Sequence, residues 1–137
     1  MTAAAPKQER LLALVLRGIG CLDFLALAAV FMPQHWMDVA HVAIGLGPLP
    51  RDPLVGYLAR SASALYALHG AMVVFISFDV ARYARLIRFM AWAALPHGAV
   101  ILGIDLAEQL PPVWRYVEGP LFAASGALIL WLQRQRS

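Results

Sequence analysis

Seven ionisable side chains stand inside stretches that are otherwise almost wholly apolar: Arg17, Asp23, Arg60, His69, His97, Asp105 and Glu118. Their types and spacing suggest three kinds of chemistry. His69 and His97 lie symmetrically about residue 83. In two antiparallel helices joined by a turn centred there, they share one depth, because each helix advances ~1.5 Å per residue. Paired imidazoles at one depth in a helical bundle can be the axial set of a bis-histidine b-type haem, or the hydrogen-bonding groups of a quinone or lipid pocket. A glycine follows each of them, Gly70 and Gly98, and would leave room for a flat ring. The plainer reading has both histidines bonded to neighbouring carbonyls, hydroxyls or Asp23.

Arg60 and Asp105 are symmetric about nearly the same point, and Glu118 falls at a similar depth. These three define an outer polar cluster. It is either an ion-pair network holding helices together or a pocket whose guanidinium fork binds an anionic or polar headgroup. Arg60 and His69 are about 180° apart around a helix at ~100° per residue, so the two matched pairs compete for one seam. Asp23, in the middle of the first apolar stretch, pairs with His69 or Arg17, or serves as a proton-coupling acid. No His/Cys set has zinc-ligand spacing, so no metal is expected beyond the haem reading. Ser61, Ser63 and Tyr66 lie near His69 without a nucleophile elbow, so no catalytic constellation is evident.

The elements that must position these groups follow from composition. The chain has 137 residues, 61% hydrophobic and 14% charged. Ordinary soluble domains sit near about 45–50% and about 25%. A typical cytosolic globule, a disordered chain and a disulfide scaffold are thereby excluded, and the single Cys21 forms no internal bridge. Four stretches, 11–32, 54–78, 86–107 and 116–133, approach the ~20 residues of a spanning helix. None alternates as a barrel strand would. The expectation is an all-α, four-transmembrane-helix bundle forming a single integral membrane domain over residues 1–137. Arg17 and Asp23 interrupt the first stretch, so it reads as a retained helix, not a cleaved signal peptide.

Lys7, Arg10, Arg82, Arg85, Arg88, Arg134 and Arg136 fall on one side of this topology, against Arg51 and Arg115 on the other. Both termini are therefore expected in the cytoplasm. The net charge of +3 reflects this bias and points to no nucleic-acid partner. In the first external connection, His35, Asp38 and His41 share one face of a short apolar segment. That pattern predicts a helix lying in the membrane interface, ended by Gly45-Leu46-Gly47-Pro48. Trp36, Trp114 and Trp131 suit interfacial belts. Ser63, Ala67 and Gly70, together with Ser125-Gly126-Ala127, suit close helix packing. Pro96 is expected to kink the third span beside His97.

Four short spans, Arg60-x-x-Ser63-x-x-Tyr66 followed by His69-Gly70, and the long first external connection resemble small bacterial membrane proteins of the DoxX-like group. The resemblance covers most of the chain. It implies a four-helix bundle in the bacterial cytoplasmic membrane with a redox or quinone neighbourhood, since that group includes a subunit linked to quinone-coupled thiosulfate oxidation. No defined motif matches residue by residue, so no catalytic residue is carried over. Three functions are consistent with the residues. The first is an accessory or lipophile-binding membrane protein. The second is a haem- or quinone-binding redox subunit using His69 and His97. The third is a small proton-coupled transporter with Asp23 as its coupling acid. The expected partners are membrane lipids and either further copies of the chain or a larger membrane complex.

Overall fold

A computed structural model describes residues 7–135. The elements are α1 (Lys7–Phe24), α2 (Leu27–Phe31), α3 (Gln34–Ala43), α4 (Pro53–Ile76), α5 (Ala84–Ala107) and α6 (Pro112–Arg134), with no strand among the described residues. Among the described residues, three segments are long and apolar enough to cross a membrane: Lys7–Phe31, Pro53–Ile76 and Ala84–Ala107. The stretch expected as a fourth span forms helix α6, 23 residues long. It carries Arg115, Glu118 and Arg134 and is not among the apolar three. Large side chains such as Leu65, Phe75, Phe89 and Val113 are exposed, while the buried core holds few bulky groups. So much exposed apolar surface suits a hydrocarbon surrounding and not water.

Local chemistry sets the helix ends. Asp52 caps α4: its Oδ1 accepts the Leu54 N–H at 2.8 Å, and Pro53 takes the first helical position, where no N–H is needed. Helix α3 ends as its glycines predict. Gly45 adopts φ 86°, the Leu46 N–H bonds the His41 carbonyl, and the Gly45 N–H bonds that of Val42. This is a Schellman termination, which needs a left-handed residue just past the helix. His41 Nδ1 then donates to the Gly47 carbonyl at 2.7 Å, and Asp38 Oδ1 accepts the Leu49 N–H at 2.7 Å. These two polar residues of the predicted face tie the following turn to α3.

The same termination closes α5, with Leu110 N–H on the Asp105 carbonyl and Gln109 N–H on that of Leu106. Here the left-handed position holds Gln109 at φ 54°, which a side chain disfavours. Gln109→Gly is therefore expected to stabilise the protein by about 1 kcal/mol, read as a raised melting point in detergent.

The chain divides into two compact units. One spans Arg17–Phe75. Within it, α1 and α4 meet backbone to backbone at Gly20 and Gly70, where a Cβ on Gly20 would lie 2.8 Å from the Gly70 carbonyl oxygen. The other comprises the chain up to Leu16 and from Ile76 onward. Within it, α5 and α6 pack antiparallel through positions seven residues apart. Gly98 opposes Gly119, Ala91 opposes Gly126, and the Gln133 amide donates to the Ala84 carbonyl at 3.0 Å. A seven-residue repeat keeps one seam facing its partner along both helices. Helix α5 runs unbroken through Pro96, and α6 through Pro120.

Candidate functional site

The Gly20–Gly70 contact positions the polar site. Asp23 lies one turn beyond Gly20 on α1, and His69 directly precedes Gly70 on α4. With the backbones in contact, His69 Nδ1 and Asp23 Oδ2 come within 2.9 Å. An ionised Asp23 offers only acceptors, so toward it Nδ1 is the donor and Nε2 is the ring nitrogen that the Asp23 bond leaves unused. The Asp23 side chain is 16% exposed and that of His69 41%. The carboxylate is thus enclosed and the imidazole stands partly open. An orienting carboxylate behind an imidazole fixes both ring position and tautomer, as it does for metal-bound and catalytic histidines.

The backbone breaks beside this pair. Helix α1 stops at Phe24 and α2 begins at Leu27. In between, the Ala26 N–H bonds the Asp23 carbonyl at 3.1 Å, and the Leu25 N–H reaches both Cys21 and Leu22. The bonds from Ala26, Ala28 and Ala29 all span three residues, so the chain tightens locally toward a 3₁₀ turn. Interrupted helices inside an apolar span are tolerated where they line a cavity or are covered by protein, and in transporters they mark binding sites.

The other sequence candidates have other surroundings. Arg60 donates from Nε to the Val30 carbonyl at 3.2 Å and from Nη2 to that of Met32 at 3.0 Å. It thereby satisfies the carbonyls at the end of α2, a use the sequence did not reveal. Asp105 belongs to the other unit, is 3% exposed, and its Oδ2 has no hydrogen-bond partner among the described residues. Glu118 is half-buried in α6. His97 also lies in the second unit, exposed, with its ring edge-on to Phe122 at 4.9 Å. The space expected for a flat ring beside Gly70 and Gly98 is filled by backbone: Gly20 and Phe24 in one case, Gly119 and Ala123 in the other. Among the described residues no group of three His, Cys, Asp or Glu side chains is placed to hold a metal ion.

No family model, curated protein or solved structure matches the chain.

Proposed function

We propose that this chain is an integral membrane protein that holds a lipophilic, hydrogen-bonding molecule of the quinone or lipid class against His69. The supporting observation is the Asp23–His69 bond, which holds a partly open imidazole on an apolar helix pair. In this reading the chain crosses the bacterial cytoplasmic membrane four times, α6 being the last crossing, with both termini inside and α3 in the outer interface. A DoxX-like relationship fits this reading and belongs to the proposal. Asp23 acts as a positioning residue: it spends the Nδ1 hydrogen so that Nε2 faces the ligand as an acceptor.

The test is extraction of the protein purified in mild detergent, with mass analysis of retained lipids and quinones and an absorption spectrum before and after dithionite. His69→Gln retains an amide that can still bond Asp23, and His97→Gln serves as the control. A lipophile retained by the wild type should fall about tenfold in His69→Gln, the value of one good hydrogen bond, and stay unchanged in His97→Gln. Equal retention in all three proteins would refute the assignment. A Soret band lost in His69→Gln would replace it with the haem reading, since a carboxylate-held imidazole is also a competent axial ligand.

A further inference from the structure

The start of α1 and the end of α6 meet within one unit and leave a groove of about 240 Å³ between them. Lys7, Gln8 and Leu11 line it from α1, and Trp131, Leu132 and Gln135 line it from α6 and its C-cap. The lining is amphiphilic. Leu11 and the buried Leu132 supply apolar wall, Trp131 an indole, and Lys7, Gln8 and Gln135 an ammonium and two amides. Among the described residues, none of these three polar side chains is spent on a hydrogen bond or ion pair. One turn further into each helix, Leu14 and Leu128 are exposed, so an apolar track leads away from the groove. The surroundings are basic. Arg10 and Arg134 are exposed at this end. The Gln133–Ala84 bond brings the start of α5 here too, with Arg85 and Arg88 in its first turns and Arg82 just before it. The acidic side chains in these segments are Glu9 and Asp79, and both are engaged, Asp79 with the Arg82 N–H.

Pockets that enclose a whole drug-sized molecule run to about 300–1,000 Å³. This groove is smaller and suits the polar head of an amphiphile whose tails lie outside it. A neutral lipophile gains nothing from the surrounding cations, and a zwitterionic head carries its own ammonium into them. A phosphodiester with no cation of its own accepts hydrogen bonds from the ammonium and the amide N–H groups alike, and basic pockets between membrane helices hold such heads. We propose that the groove seats the headgroup of an anionic phospholipid. The phosphate lies on Lys7 and the two amides, the glycerol against Trp131, and the acyl chains along Leu14 and Leu128. The inference rests on the reading of the chain as a membrane protein, but not on His69, which belongs to the other unit.

The experiment is native mass spectrometry of the full chain in mild detergent, titrated in parallel with dioleoyl phosphatidylglycerol and dioleoyl phosphatidylcholine. The first phosphatidylglycerol adduct is expected to form about tenfold more tightly than the phosphatidylcholine one. Lys7→Gln should weaken it about fivefold, the effect of one cation at a membrane surface, while Lys7→Arg keeps it. Arg88→Gln removes the same charge from this end but outside the groove, and should change binding less than about twofold. Lys7 and Arg88 are both exposed, so neither change touches the core. His69→Gln should leave the adduct unchanged even if it abolishes retention of another lipophile, so the two sites stand or fall separately. Equal binding of the two lipids would overturn the assignment. So would equal weakening by Lys7→Gln and Arg88→Gln, which would mean diffuse attraction to a basic surface, or loss of the adduct in His69→Gln, which would move the lipid to the other unit.

Discussion

Replacing Gly98 by valine is expected to cost about 3 kcal/mol and to loosen α6 from α5. A Cβ at this position would run into the Gly119 carbonyl oxygen, and it would lie 2.9 Å from the Ala123 nitrogen and 3.1 Å from the Ala123 Cβ. Two of those three atoms are backbone, so no rotamer change relieves the clash; the helices must separate. Separation would then forfeit the contacts at Ala91/Gly126 and the Gln133 bond to Ala84 along the same seam. Gly103 supplies the internal control. It lies on the same helix, and a Cβ there meets nothing within 4 Å. Gly103→Ala should leave the packing intact and raise stability by about 0.5–1 kcal/mol through reduced backbone entropy in the unfolded chain. Unfolding in mixed detergent–SDS micelles measures both. A Gly98→Val protein as stable as Gly103→Ala would mean the helix pair is not held by this contact.

Much of this architecture could be read from the sequence wherever a residue acts through its own backbone. Gly45 stops α3 because a left-handed residue is needed there, and the long apolar runs become helices because unpaired backbone is intolerable in hydrocarbon. The pairing of Asp23 with His69 was one of the two partners its position allowed. The symmetric pairs were harder to judge. Counting from the loop at residue 83 gives depth along a helix but not rotation about it, and rotation is set by where the small residues lie. Gly70 turns its face of α4 to Gly20 of α1, and Gly98 turns its face of α5 to Gly119 of α6. Each histidine is therefore answered by a different helix, Asp23 for one and Phe122 for the other. Gly20 had no feature to single it out before its partner was known.

A second large loss is expected when His69 alone is removed, and a smaller one when its partner goes too. His69→Leu leaves the Asp23 carboxylate, 16% exposed, without its donor inside an apolar segment. A lone acid in such a place costs about 3 kcal/mol. Asp23→Leu leaves only a neutral imidazole, partly open and able to turn its Nδ1–H elsewhere, and should cost about 1 kcal/mol. The double variant Asp23→Leu/His69→Leu removes donor and acceptor together, and apolar replacement of both members of an enclosed polar pair is often close to neutral. The order expected in micellar unfolding is therefore His69→Leu least stable, then Asp23→Leu, with the double variant near the wild type. That order would show the pair to be unnecessary for folding, so that its retention calls for a functional role such as orienting Nε2 toward a ligand. Losses that simply add in the double variant would mean that each side chain stabilises through contacts of its own, and the carboxylate–imidazole bond would no longer define the site.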